Sequence, residues 1–241
     1  MNPVNDDKQA RSDEFREQMI AKWRNDLERI QNDIITLHGS RSTYRRLRKI
    51  VDANPRIQKP NELYEWLLRN YVVYASTAIR RLLKRHKDSL SLEGLVLSIA
   101  EHEHIITREW YLSQCEVVSE WDTREEYLDW FDASEDLDKL IGGRRDTIDG
   151  EDLQRRLREV QSLSKPVLEY ADKLVAHTDV NPPHTLPTYP GLDSAIDAVG
   201  DLFRHLDALI NQGSPISLEP MGSSRWEKLF EEPWIVRSGR S

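Results

Sequence analysis

The chain has little of what stabilises small secreted proteins or interrupts helices. Its 241 residues include one cysteine, Cys115, which excludes an internal disulfide and is typical of a reducing cytoplasm. Only 10 glycines and 11 prolines occur, so long helices meet few breaks. The longest apolar run, residues 71–79, is far shorter than the ~20 residues of a membrane span. The polar start, residues 1–8, does not resemble a secretory signal. We therefore expect a soluble cytoplasmic protein without membrane contact.

The chain also lacks a basic excess. Acidic side chains number 42 and basic ones 34, which gives a formal net charge of −8. Nucleic-acid-binding proteins usually have the opposite balance, because phosphate contacts dominate their affinity. Any contact with nucleic acid must therefore depend on local basic clusters.

Apolar residues recur at spacings of three and four along most of the chain. This pattern predicts an all-α protein, an elaborated helical bundle with a docked C-terminal tail. We expect residues 1–12 to form a flexible leader and residues 13–241 a single domain. Within that domain, 109–150 is a possible insert that forms short helices or is only partly ordered, and 181–190 is a proline-rich loop that cannot be helical. In the tail, Trp226, Phe230 and Trp234 have the spacing of a helical stripe, which is typical of core or of an interface with another copy.

Two apolar stripes predict the inner faces of the first long helices. A helix from Ser12 to Leu37, ended by Gly39, has the inner residues Phe15, Met19, Trp23, Leu27, Ile30, Ile34 and Leu37. A short basic helix, residues 42–53, follows it. The next helix runs from Pro60 to about His86 with the inner residues Leu63, Leu67, Tyr71, Tyr74, Ala78 and Leu82. A later long helix, about residues 151–177, is expected to break near Ser164 because Pro166 interrupts it.

The end of that later helix carries the main candidate site. On an α-helix, Tyr170, Lys173 and His177 lie on one face, and carboxylates flank them. A cation and an imidazole one turn apart are suited to holding a phosphate or moving a proton. Alternatively, Lys173 and His177 cap the last carbonyl groups of the helix.

Several short motifs carry a family resemblance. They are Lys173-Leu-Val-Ala-His177-Thr-Asp179 before the proline-rich loop, Ile79-Arg-Arg-Leu82, Ser89-Leu-Ser-Leu92, and Trp226 with Pro233-Trp234. Together they resemble the HEPN superfamily of helical bundles, and its AbiU-like abortive-infection branch of bacterial phage-defence proteins most closely. The resemblance is looser over residues 1–60 and 109–150.

The resemblance implies metal-independent RNA cleavage in active members, which use an arginine, a following polar residue and a histidine. His177 matches the histidine, Asp172 the polar residue, and Ala171 stands at the arginine position. Lys173 is the nearest cation but lacks the guanidinium fork. Arg80, Arg81 or Arg85 of the earlier helix is an alternative source of that group.

We therefore expect a HEPN-like protein of bacterial defence or a toxin–antitoxin-like context. It would bind RNA or a protein partner through an incomplete nuclease motif, and form a homodimer. The alternatives are an active metal-independent endoribonuclease that uses His177, with Asp172 and Lys173, and a structural homo-oligomeric scaffold.

Two basic runs, residues 41–49 and 80–87, suggest where nucleic acid would bind. The candidate contacts are Arg45, Arg46, Arg48, Arg80 and Arg81. The alternative is that these side chains offset helix dipoles and solubilise helix ends.

The motif Glu101-His-Glu-His104 invites a metal interpretation. Metal-binding bundles need such a motif on two helices, and it occurs once here, which favours a solvated helix face. No glycine-rich phosphate loop is present either. We therefore expect no metal and no cofactor.

Overall fold

The computed structural model describes most of the chain as helix. The described residues are 3–55, 57–58, 62–114, 135–176, 187–212, 217–218 and 226–231, with isolated positions between 123 and 131. In them the α-helices are α1 (Pro3–Ala53), α2 (Glu62–Leu83), α3 (Leu92–Glu101), α4 (Arg108–Gln114), α5 (Glu135–Ile141), α6 (Gly150–Leu163), α7 (Lys165–Tyr170) and α8 (Tyr189–Asn211). Short 3-10 helices cover Glu103–Ile105 and Trp226–Phe230. The described part has no strand beyond an isolated bridge between Thr107 and Thr147, so the predicted all-α bundle is confirmed.

Helix α8 lies at the centre of the bundle. It contacts α1, α2, α5, α6 and α7, while α3 packs on α6. Its apolar side is fully covered, and residues such as Val199, Phe203 and Leu206 have almost no exposed surface. Trp23 of α1 is completely buried, and its indole nitrogen donates to the Ser98 hydroxyl at 3.0 Å. Burial of these large side chains is the main source of stability for such a bundle.

Helix α1 is longer than predicted. It runs without a break through Gly39, where we expected a stop, and includes the separate basic helix expected at residues 42–53. Its helical span also includes residues 3–12, which we expected to form a flexible leader. A glycine inside a helix costs only about 1 kcal/mol relative to alanine. Burial of Leu37 and Tyr44 on either side outweighs that cost.

The breaks and starts of the later helices follow local chemistry. The break predicted near Ser164 is confirmed, because α6 ends at Leu163 and α7 begins at Lys165, with Pro166 in its first turn. Helix α8 starts at Tyr189, inside the stretch that we expected to be a non-helical loop. Thr188 caps it by accepting from the Gly191 amide at 3.1 Å, and Pro190 fits the first turn, where no amide donor is needed. Residues 181–186 of the expected loop lie outside the described residues.

The inner stripe predicted for α2 is confirmed in part. Tyr71, Ala78 and Leu82 are buried, but Leu63 is 60% and Tyr74 40% exposed. Phe15 of the α1 stripe is also exposed, while Trp23 to Leu37 of that stripe are buried. The periodicity locates an apolar face correctly, but it does not show how far neighbouring helices extend along it.

The described part of the region 109–150 contributes short helices to the bundle. Leu137 and Ile141 of α5 are buried, and Tyr111 of α4 donates its hydroxyl to the Ala208 carbonyl of α8 at 3.1 Å. In the tail, the Trp226 ring lies under the Arg46 guanidinium at 5.2 Å, so this part of the tail docks on α1. Trp234 lies outside the described residues.

Candidate functional site

The helix that carries the main candidate site changes its hydrogen-bonding pattern there. After Tyr170 the chain continues as a π-helix, Ala171–Ala176, which packs against α2. Single π-helical turns interrupt the α-helical register and are frequent at functional sites. The α-helical geometry on which we based the shared face of Lys173 and His177 is therefore wrong for residues 171–176. His177 lies outside the described residues, so its distance from Lys173 stays untested.

Asp172 connects this π-helix to the end of α2. The Arg80 Nε donates to Asp172 Oδ1 at 2.5 Å, and the Lys84 Nζ donates to Asp172 Oδ2. Partial burial alone would raise the pKa of Asp172, but the hydrogen bonds from Arg80 and Lys84 outweigh it and lower that pKa. Asp172 is therefore a charged carboxylate held between two cations.

Ala171 stands at the position where the resemblance expects an arginine, and a neighbouring helix supplies a guanidinium instead. Ala171 is completely buried, so its position belongs to the core and has no room for a guanidinium. The Arg80 guanidinium of α2 reaches the same turn from outside. Lys173 is half-buried and forms no ion pair with any residue that the structure describes. Arg80 and Lys84 thus meet one carboxylate at this turn, and Lys173 is the next residue of the same π-helix.

Lys84 was not among the residues that we selected from the sequence. It follows α2 directly and lies four residues after Arg80, so the two side chains leave one helix face together. That spacing was visible in the run 80–87. Their convergence on Asp172, some 90 positions away in the chain, could not be predicted from that run.

The other arginines predicted to contact nucleic acid are each paired within the chain. Arg81 bonds to Asp33 at 2.7 Å, Arg45 to Asp193 at 2.9 Å, and Arg48 lies 3.6 Å from Asp52. Arg46 pairs with Glu227 as well as stacking on Trp226. Three of these ion pairs join α1 to α2, α8 and the tail, whereas Arg48 and Asp52 both lie on α1. This favours a structural role for Arg45 and Arg46 of the first basic run.

Arg41 opens that basic run and is buried, which the sequence did not indicate. It is 3% exposed, donates to Asp197 of α8 and contacts the His38 ring at 3.1 Å. Nearby, the rings of Tyr44 and Tyr71 stack with their centres 4.2 Å apart. Burial raises the pKa of both tyrosines above the usual value, so both are neutral at physiological pH.

The Glu101–His104 motif makes internal contacts. Glu103 accepts from the Gly150 amide at 3.1 Å and so fixes the start of α6. The His102 Nδ1 lies 2.9 Å from the Ser98 carbonyl oxygen. Among the described residues, no group of three or more potential ligands converges in a way that would hold a metal ion.

Comparison with known proteins identified no relative of this chain. No family model, curated protein or solved structure matches the chain significantly. In the described part of the chain, none of the helices has both the length and the apolarity that spanning a bilayer requires.

Proposed function

We propose that this protein binds RNA through the turn formed by Arg80, Lys84, Asp172 and Lys173, which we call the basic turn. Its setting would be bacterial defence or a toxin–antitoxin-like pair in the cytoplasm, as its resemblance to HEPN proteins suggests. The observation that carries the proposal is the convergence of Arg80 of α2 and Lys84, which follows it, on Asp172 of a π-helical turn that also contains Lys173.

Charge supports this choice over the first basic run. The basic turn has three cations and one carboxylate, and Lys84 remains 40% exposed. In the first run, Arg45, Arg46 and Arg48 each have an acidic partner from the same chain. A cluster with excess positive charge attracts phosphate, whereas neutral ion pairs must first be opened.

Binding without cleavage fits the basic turn better than catalysis. The Arg80 guanidinium already bonds to the Asp172 carboxylate, so its charge is partly neutralised. A nuclease arginine must stabilise developing charge on the phosphoryl group of the transition state.

One observation favours the alternative, an active endoribonuclease. Arg80 brings a guanidinium to the turn where the resemblance expects one. If the protein cleaves RNA, Arg80→Ala and His177→Ala should each abolish cleavage by the purified protein and leave its circular dichroism unchanged. Absence of cleavage by the wild type across varied RNAs would exclude this alternative.

The binding proposal is tested with a fluorescently labelled single-stranded RNA and a titration monitored by anisotropy. Lys84→Gln combined with Lys173→Gln removes two positive charges from the basic turn and should weaken binding at least about tenfold. The matched control, Arg45→Gln with Arg48→Gln, removes two positive charges from α1 and should change affinity less than about twofold.

Asp172→Asn provides a test in the opposite direction. It removes the carboxylate that holds Arg80 and Lys84 and should strengthen RNA binding, because both cations become available to phosphate. Equal weakening by the two double variants, or no gain with Asp172→Asn, would contradict an RNA site at the basic turn.

A further inference from the structure

A groove between α1 and α2 is lined by residues that do not belong to the basic turn. It encloses about 610 Å³, a volume within the range of small-molecule binding sites. Its α1 wall includes Thr36 and Gly39, and its α2 wall includes Leu67, Asn70 and Tyr74. The groove is therefore large enough to hold an organic molecule.

The groove is open down to the helix backbone at Gly39. A Cβ built on Gly39 would meet no described atom within 4 Å, so nothing in the described chain fills the space beside it. Glycine is also the least favourable helix residue after proline, yet α1 continues through it without a break. Packing within the described chain thus leaves a space in which a ligand can approach α1 closely.

Three tyrosine rings line the groove and favour a flat aromatic ligand. Tyr44 and Tyr71 are buried and stack with ring centres 4.2 Å apart and planes 6° apart, so each fixes the position of the other. Tyr74 is 40% exposed, so part of its side chain remains uncovered. Aromatic rings attract further rings in offset or edge-to-face arrangements, beyond the effect of buried area alone.

The charges in the groove favour a neutral ligand. Among the described residues that line it, Arg46 is the only charged one, and Arg46 already pairs with Glu227. No carboxylate of the described chain lines the groove, so a cation would find no partner there. An ion would therefore lose its hydration without compensation, whereas an uncharged molecule would not.

The hydrogen bonds of Thr36 and Asn70 leave these two lining residues as acceptors. The Thr36 hydroxyl donates to the Asn32 carbonyl oxygen at 2.7 Å, and the Asn70 Nδ2 donates to the Trp66 carbonyl oxygen at 2.7 Å. The opposite amide orientation would place Asn70 Oδ1 against a carbonyl oxygen, so this assignment is the chemically consistent one. The remaining lone pairs of Thr36 Oγ1 and Asn70 Oδ1 select a ligand with an O–H or N–H donor.

We propose that the α1–α2 groove binds a neutral aromatic molecule that carries a hydrogen-bond donor, such as a phenol or an indole. The ring lies beside Gly39 and Tyr74, and the donor faces Thr36 or Asn70. This site requires neither RNA nor the basic turn, so it is independent of the function proposed above.

Naphthol and its methyl ether are a matched pair of probes, because the ether keeps the ring system and the oxygen but has no donor. Titration calorimetry of the full chain should show saturable binding of naphthol at a single site. The ether should bind about fivefold more weakly, because it leaves the acceptors of the groove unpaired. Equal affinity for the two probes would overturn the proposal, and so would the absence of saturable naphthol binding.

Gly39→Leu fills the groove without disturbing the helix. Leucine is a better helix former than glycine, and its Cβ meets no described atom, so stability against urea should not fall. Naphthol should bind at least about tenfold more weakly to this variant. The matched control is Asn32→Leu, which adds a leucine at an exposed position of α1 outside the groove lining and should change affinity less than about twofold. Wild-type naphthol affinity in Gly39→Leu would contradict a site at this position.

Thr36→Val combined with Asn70→Leu removes both acceptors and keeps the side-chain volumes similar. The ratio of the affinities for naphthol and its ether should fall from about five to about one, which a purely structural disturbance would not produce. An unchanged ratio would overturn the selection of a donor by the groove. A naphthol affinity that falls as the protein concentration rises would show that a second copy covers the groove, and would overturn the proposal too.

Discussion

His205 is a partly buried ionisable side chain on the central helix, and it connects stability to pH. It faces a small cavity between α8 and α6 that Arg156, Glu159 and Asp201 also line. Its Nε2 is inaccessible to solvent and has no hydrogen-bond partner among the described atoms. Burial, helped by the charge of Arg156 and opposed by Asp152, lowers the pKa of His205 to about 4.

The direction of the pH effect follows from that pKa. The folded state holds His205 neutral, whereas the unfolded chain protonates it near pH 6.5. Its contribution is therefore complete above about pH 6.5 and is lost as the pH falls toward 4, by about 2 kcal/mol at pH 5. His205→Leu should remove this part of the pH dependence, measured as urea unfolding at pH 7 and pH 5. His86→Gln, at an exposed histidine, should not. Equal pH dependence in the wild type and His205→Leu would contradict this assignment.

Among the properties of individual residues, contacts with residues far apart in the chain were the least predictable. The burial of Trp23 and Leu27 follows from periodicity, because one helix face must be covered. The pairs Arg41–Asp197 and Arg80–Asp172 join separate helices, and their formation depends on how those helices are aligned. No local sequence pattern indicates how those helices are aligned.

Helix ends were more predictable than helix lengths, because capping is local. Ser91 is the N-cap of α3, and its hydroxyl accepts from the Gly94 amide at 3.0 Å. A serine directly before an apolar stripe is a local signal for such a start. By contrast, Gly39 resembled a stop but lies within α1, since tertiary packing outweighs a weak local preference.

Replacing the α3 cap gives a test at this scale. Ser91→Ala should lower the free energy of unfolding by about 1–2 kcal/mol, because a buried helix end loses the acceptor for one of its amides. Ser89→Ala, at an exposed serine that caps nothing, should change it by less than about 0.5 kcal/mol. Urea unfolding followed by circular dichroism measures both. Equal effects of the two substitutions would show that the Ser91 cap contributes little.

The π-helical turn was not predictable from the sequence pattern. Residues 171–176 continue the apolar spacing of the preceding helix, so they indicated one α-helix up to His177. The turn is anchored by Asp172, whose partners come from α2. These contacts indicate that packing between helices, rather than local sequence preference, determines the π-helix.

For the whole molecule, the net charge of −8 conceals an uneven distribution of unpaired charge. Acidic partners within the chain neutralise Arg45, Arg46, Arg48 and Arg81, whereas the basic turn retains excess positive charge. The composition predicts that any nucleic-acid site must be local. It did not distinguish between the two basic runs, because ion pairing depends on the folded arrangement.

The salt dependence of RNA binding tests whether this local site acts alone. Each phosphate contact with a single strand contributes about −0.7 to the slope of log affinity against log salt concentration. Contacts from Arg80, Lys84 and Lys173 alone give a slope of roughly −2, whereas adding Arg45, Arg46, Arg48 and Arg81 would give roughly −5. We expect the smaller slope for the wild type, measured by anisotropy over a series of salt concentrations. A slope close to −5 would extend the site across α1, and a slope near zero would exclude phosphate contacts as the basis of binding.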